Sequence, residues 1–299
     1  MKKLNYLLLL TTLITWSCGS NQQKQEVQQV AEELASETKV KISLEKKWET
    51  DTTLTTNESV LYDAGNNILY VSNINGTPTD KDGNGFISRV NLDGTIDNLQ
   101  WVTGLDAPKG MGISGDKLYV TNITELVEIN LADGTISNRY EVEGAQFLND
   151  VAVADGNVYF SDSNTNKIHL LSNGEISTWM EGETLKAPNG LLVEEGHIML
   201  ASMGTNDFKS INTTNKEERV LADGIGAGDG VVAHQNGNYI VSNWQGEVYY
   251  ITKEGDKQLI LNTKEQKINS ADIEYVKEYN LLLVPTFFNN TVVAYEVKL

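Results

Sequence analysis

Six segments of the 299-residue chain repeat one pattern: a polar residue, a short apolar run, a turn, and a strand reading like YVSN. They are NESVLYDAGNNILYVSN from Asn57, PKGMGISGDKLYVTN from Pro108, NDVAVADGNVYFSD from Asn149, NGLLVEEGHIMLAS from Asn189, DGVVAHQNGNYIVSN from Asp229 and SADIEYVKEYNLLLVPT from Ser270. Their lead residues are Glu58, Lys109, Asn149, Asn189, Asp229 and Asp272, and the middle four recur at an interval of 40. A unit this short cannot bury its apolar faces alone, so neighbours must stack on one another. Strands and turns repeating at about this period describe the blade of a propeller. The expected fold is all-β: a six-bladed β-propeller of four-stranded antiparallel blades, with the lead residues at equivalent places beside the central channel.

The third repeat shows how one blade is built. VAVA after Asn149 is an apolar run, DGN is a tight hairpin turn, and VYFSD is the next strand. SNTNKIHLL gives a loop and a third strand, and SNGEISTW gives an Asn-Gly turn and an outer strand. Asp93-Gly94, Asp133-Gly134 and Gly255-Asp256 mark outer hairpins in other blades. No stretch after Val40 carries a sustained helical period. Closing the ring calls for KISLEKKWET from Lys41 to pair with TVVAYEVKL at the end of the chain. With one cysteine, no internal disulfide braces the domain, so ring closure must hold it.

The first forty residues do not share the repeat. Lys2 and Lys3 precede an apolar run from Leu7 to Trp16, the layout of a secretory signal too short to span a bilayer. Residues 1–17 read as a lipoprotein-type signal and Cys18 as the lipidated residue, with an ordinary cleaved signal and an incidental cysteine as the alternative. Residues 18–40, rich in Gln, Glu and Ser, read as a polar tether, and 41–299 as the propeller. The expected location is outside the cytoplasm, lipid-anchored to the cell envelope, with membrane contact through the anchor alone. The formal charge is −18, and loss of a leader holding two lysines and no acids makes it −20. That surface repels phosphate backbones, which excludes nucleic acid as a partner and leaves a small-molecule substrate or ligand.

The chain resembles the calcium-dependent six-bladed propellers of the regucalcin/gluconolactonase family, with paraoxonases, diisopropyl fluorophosphatase and strictosidine-synthase-like proteins as more distant relatives. The likeness lies in Glu58 of ESVLYD, Asn149-Asp150 of FLNDVAV, Asn189-Gly190 of PNGLLV and Asp229-Gly230 of GDGVVA. It implies that Glu58, Asn149, Asn189 and Asp229 hold one divalent cation, usually Ca2+, in the channel, and that Asn149 contacts metal or substrate. The residue types agree with that: two carboxylates and two carboxamides are hard oxygen donors, and no thiolate or histidine leads a repeat. Asn and Asp also cap turns in β proteins, which is the alternative for any one of these motifs taken singly.

The chain departs from the family in two respects. Where gluconolactonases carry an Arg two residues before the third-blade Asn, this chain has Phe147. Paraoxonases use channel histidines, whereas His169, His197 and His234 fall in strands and turns as packing or surface residues. Lys109 is unfamiliar as a lead residue. Repulsion should turn its ammonium away from a cation, toward substrate or Asp272, where it stabilises an oxyanion or forms an ion pair. A third possibility is that it occupies the cation's place. Asp272, with Asn149, is assigned to the substrate side. A second, surface calcium site is suggested by Asp80, Asp82 and Asn84, which match the start of an EF-hand loop, although its twelfth position would be Asn91. The expected function is a calcium-dependent hydrolase of a small ester, a lactone foremost, with Asp229 and Lys109 as catalytic residues. The alternative is a non-catalytic propeller that binds a small ligand or protein on its upper face.

Overall fold

The computed structural model of the chain describes residues 41–298; the leader, Cys18 and the tether lie outside the described residues. Between 42 and 298, six four-stranded antiparallel sheets follow one another around a ring. Five are contiguous in sequence, spanning 57–105, 108–141, 148–181, 188–223 and 228–262. The sixth takes Glu274–Val276, Leu281–Pro285 and Val292–Lys298 from the end of the chain and Ser43–Glu49 from its start. Ser43 pairs with Lys298 and Glu49 with Val293, so the expected closure is what joins first blade to last. Among the described residues the only helical elements are two single 3₁₀ turns, Gln235–Gly237 and Lys277–Tyr279. None of these described helices is long and apolar enough to cross a membrane.

The core is divided among the joints between blades. Ile68, Tyr70 and Ile87 of blade 1 meet Met111, Val120 and Val127 of blade 2, and equivalent clusters fill the remaining five joints. Each blade therefore depends on both neighbours for burial of its apolar residues, which is why the ring must close. The outer hairpins follow their turn chemistry: Asp93 and Asp133 each accept the backbone and hydroxyl donors of the Thr two residues on.

Two details of the repeat place the channel residues. In five blades the innermost strand slips register around the lead residue, between Asn57 and Val60, Pro108 and Met111, Leu148 and Val151, Pro188 and Leu191, and Gly228 and Val231. Such bulges release a residue from the ladder and re-aim it. The hydroxyl near the end of the second strand then ties adjacent blades together. Ser161 accepts from the Asp150 N–H at 2.9 Å and donates to the Asn189 carbonyl of the next blade at 2.9 Å. Ser242 accepts from the Gly230 N–H at 2.8 Å and donates to the Ala271 carbonyl at 2.7 Å.

Glycine after the lead residue lets neighbouring inner strands approach. A Cβ on Gly190 would stand 1.7 Å from the Asp229 carbonyl oxygen, and one on Gly230 2.4 Å from the Ile273 nitrogen. Gly190→Ala is therefore expected to cost about 3 kcal/mol or more, at the upper end for an overpacked site, because backbone rather than a flexible side chain must yield. Thermal melts of the variant check this; a melting temperature within a degree of the parent would show that the two strands can part.

Candidate metal centre and channel

The bulges bring the lead residues of different blades to one end of the channel and bury them. Asp229 is 2% exposed, Asn149 and Asn189 3%, Glu58 6% and Lys109 1%. The Asn189 amide donates to Asp229 Oδ1 at 3.2 Å, joining blades 4 and 5. The Asn149 amide donates to Ser163 Oγ at 3.3 Å, and Ser163 donates in turn to the Pro188 carbonyl at 2.7 Å. That pairing fixes which end of the Asn149 carboxamide is committed to protein. Its Oδ1 and Glu58 Oε2 are left as buried acceptors with no hydrogen-bond donor. Leaving such an oxygen unpaired costs roughly 1–3 kcal/mol, more for a charged group.

The electrostatics point the same way. Burial pushes the Glu58 carboxyl well above the usual carboxylate range, helped by Asp229 and Asp272 and opposed by Lys109. Asp229 is raised by burial and by Asp272. Asp150 is raised by burial and by Asp272, although it accepts the Leu191 N–H at 2.6 Å and the Val151 N–H at 2.7 Å. Asp272 is pushed up to about 7, chiefly by burial, while Ser59 Oγ donates to it at 2.5 Å. Glu274 is raised by burial too. These five carboxyls share the channel with the ammonium of Lys109. Glu58, Asp150 and Asp229 are buried and Asp272 and Glu274 half-buried at a cavity, and acids this outnumbering their one cation take up protons or a metal ion.

Among the described residues no three His, Cys, Asp or Glu side chains are placed to hold a metal by themselves. The channel set instead mixes two carboxylates with two carboxamides. Oxygen donors only, two of them formally anionic and two of the oxygens unpaired, fit a calcium-type ion better than zinc or copper.

Lys109 does not reach toward Asp272. Its ammonium donates to the Ala107 carbonyl at 3.0 Å and stands 4.5 Å from the centre of the Phe147 ring. Burial lowers its pKa to about 8, and the charge of Glu58 opposes that fall. Phe147, two residues before Asn149, forms the wall on which the lysine rests. The three histidines lie away from the channel lining: His169 stacks on Phe160, His234 packs against Tyr250 and Tyr275, and His197 meets the Glu195 carbonyl beside an exposed turn.

The acidic loop of blade 1 turns on itself. Asp82 takes the Asn84 backbone N–H at 3.2 Å and its side-chain amide at 2.6 Å, while the Asp80 N–H closes a turn onto the Thr77 carbonyl. The loop is exposed and lies between the strands Ile68–Asn73 and Gly85–Val90, not between helices.

Below the lead residues the inner strands line a cavity of about 290 Å³ reached by Asp150, Asp272, Glu274 and Ser59. Asp272, expected from the sequence to lead the sixth repeat, stands at this lower level beside Ser59; Ala271 holds the lead place, its carbonyl taking the Ser242 hydroxyl as the Asn189 carbonyl takes that of Ser161. Sequence reasoning gave Asp150 no role beyond flanking a ligand and passed over Glu274 and Ser163. Asp150 could have been noticed, because it occupies the register position that is glycine in blades 2, 4 and 5.

No family model matches the sequence, and no curated protein does. Solved structures do match. A gluconolactonase from Xanthomonas campestris superposes with a TM-score of 0.64 at 14% identity, over 83% of this chain and 88% of its own. The likeness is one of fold. Virginiamycin B lyase from Staphylococcus aureus gives 0.60 at 13% identity, over 86% of this chain and 99% of the lyase. A chain of a nidogen/laminin complex gives 0.58 at 18% identity, over 70% of this chain and 81% of that one. Enzymes and a component of a protein complex thus share this architecture, so the choice among functions falls to the channel residues.

Proposed function

We propose that this chain is a calcium-dependent hydrolase of a small ester, a lactone foremost, acting at the upper end of the propeller channel. One observation carries the reading: Glu58 Oε2 and Asn149 Oδ1 are buried and unpaired in the register shared with Asn189 and Asp229. These four residues would hold the ion, and the structural likeness to a gluconolactonase agrees with a lactone as substrate. Bound there, calcium would supply Lewis-acid polarisation of the ester carbonyl. Asp229, kept ionised beside the bound cation, would accept the proton of the attacking water. Lys109, held on the Ala107 carbonyl, contributes positive charge toward the oxygen that becomes anionic. Asn149 faces the substrate, with Ser163 holding its amide, while Asp272, held by Ser59, lies beneath the ion's ligands and acts on them through its charge.

The second reading is a propeller whose cation is purely structural and whose upper face binds a ligand or protein. The deep burial of all four ligands favours it, as does Phe147 in place of a sugar-binding arginine.

The deciding experiment is hydrolysis of a panel of lactones and aryl esters by the full chain, with chelator and with calcium restored. Turnover that chelator abolishes and calcium restores is the expected result. Thermal stabilisation by calcium with no hydrolysis across the panel would select the structural reading.

A further inference from the structure

Below the oxygen ring the blades contribute to the channel level by level. One step past the lead residues stand Ser59, Gly110, Asp150, Gly190, Gly230 and Asp272, one from each blade. Asp150 belongs to blade 3 and Asp272 to blade 6, on opposite sides of the ring, and the charge of Asp272 still acts on Asp150. The next level is wholly apolar: Val60, Met111, Val151, Leu191, Val231 and Ile273, all buried and all lining the cavity of about 290 Å³. Exposure then rises along the same strands. Tyr62, Ile113, Val153 and Val193 line the cavity and are half-buried, so it opens at the end away from the lead residues.

The polar groups of this cavity are of one sign. Asp150, Asp272 and Glu274 line it, and no Lys, Arg or His does; the Lys109 ammonium is held on the Ala107 carbonyl above. Two of these acids are committed to backbone. Asp150 accepts the Leu191 N–H at 2.6 Å and the Val151 N–H at 2.7 Å, and Glu274 accepts the Tyr275 N–H at 2.7 Å and the Tyr62 N–H at 3.2 Å. Asp272 differs. Its Oδ2 accepts the Ser59 hydroxyl, while its Oδ1 has no donor in the protein and stands beside Gly230, where an added Cβ would come within 2.8 Å of it.

We propose that this cavity is a binding site for a small organic ammonium ion, its N–H donors on Asp272 and its alkyl body along the apolar level toward the open end. The site is separate from the oxygen ring and does not depend on the hydrolase reading. A cation answers carboxyls that no basic side chain of the cavity faces. An alkyl body answers the apolar level, at about a fourfold gain per methylene taken out of water. A divalent metal finds less there, because calcium takes six to eight oxygens and the level directly beyond Asp272 offers none. The volume lies at the low end for small-molecule sites, which keeps the ligand small.

The test is calorimetry of the full chain with calcium present, titrated with straight-chain alkylammonium chlorides from ethyl to octyl and with alcohols of the same lengths. The expected result is one-to-one binding whose affinity rises about two- to fourfold per methylene until the cavity is filled. Each alcohol should bind about tenfold or more weakly than its ammonium counterpart, as loss of a charge-assisted hydrogen bond requires. Asp272→Asn keeps the shape and an acceptor for Ser59, and it should bring ammonium binding down to the level of the alcohol. Val193→Trp, at the open end, leaves the acids in place and should weaken both series. Thermal melts establish that each variant is folded, and the parent's preference for ammonium over alcohol decides the matter if either is not. No saturable ammonium binding, or ammonium and alcohol bound equally, overturns the proposal. Competitive displacement of the ammonium by excess calcium also overturns it and makes the cavity a metal site.

Discussion

Calcium added to metal-free protein is expected to raise the melting temperature by about 5 °C or more at pH 8, at a concentration a hundredfold above its dissociation constant. At pH 5 the same addition should have little effect. The cause is the crowd of channel carboxyls. Glu58, Asp150, Asp229, Asp272 and Glu274 all have folded pKa values above their unfolded ones. The stability that their protonation supports is fully present below about pH 4 and is lost as pH rises through the folded values, near 7 for Asp272. That single shift corresponds to a loss on the order of 4 kcal/mol. A cation among the same oxygens offsets it at high pH, whereas at pH 5 protons compete for the ligands. His169 and His234, lowered by burial, act in the opposite sense: their contribution is present above about 6.5 and is lost as pH falls through their lowered values. Metal-free protein should thus be most stable at mildly acidic pH. Asp229→Asn keeps the shape but removes a ligand charge, and it should abolish most of the calcium increment in scanning calorimetry. An increment equal at the two pH values, or unchanged in Asp229→Asn, would remove the cation from the channel.

Lys109→Met is expected to lower ester turnover about a hundredfold, close to 3 kcal/mol, with calcium affinity retained or slightly raised. Methionine keeps much of the stem over Phe147 and deletes the ammonium that donates to Ala107. Affinity should not fall, because the deleted charge is of the same sign as the ion and acts on the same Glu58. The lysine's pKa near 8 adds a second signature: parent turnover should decline as pH passes about 8, and Lys109→Arg should move that decline upward. Parent-like turnover in Lys109→Met would leave the residue as channel lining. Calcium binding that appears only after its removal would mean that the ammonium stands in the cation's place, and the hydrolase reading would fail.

Much of this protein is local chemistry repeated, and local chemistry can be read from a sequence. Asp-Gly and Asn-Gly pairs demand hairpins wherever they occur, and the short strands between them demand neighbours. The interval from Lys109 to Asp229 therefore fixes blade and ring together. Closure between KISLEKKWET and the last strand follows because the end of the chain supplies only three strands of the sixth blade, and the fourth must come from the segment before the first repeat. The common level of Glu58, Asn149, Asn189 and Asp229 follows as well, since equal register in equal blades means equal position around an axis; in blade 6, where the interval breaks, that level falls on Ala271 and not on Asp272. What the tertiary structure decided lies where residues from different blades meet. Whether the Lys109 ammonium turns to Asp272 or to its own loop depends on Phe147, contributed by the next blade. That Asn149 Oδ1 and Glu58 Oε2 remain unpaired depends on where Ser163 and the other inner strands stand. The role of Asp150 depends on a backbone N–H of Leu191 in blade 4, forty-one residues away. Ile74, Ile123 and Trp244 sit at one position of the repeat, yet only the closed ring shows that they pack with Phe287 as a single cluster across blades 2, 1, 6 and 5. Periodicity sets which residues share a level; the orientation of a side chain and the partners it leaves unmet are set by its neighbours in space, which the period does not encode.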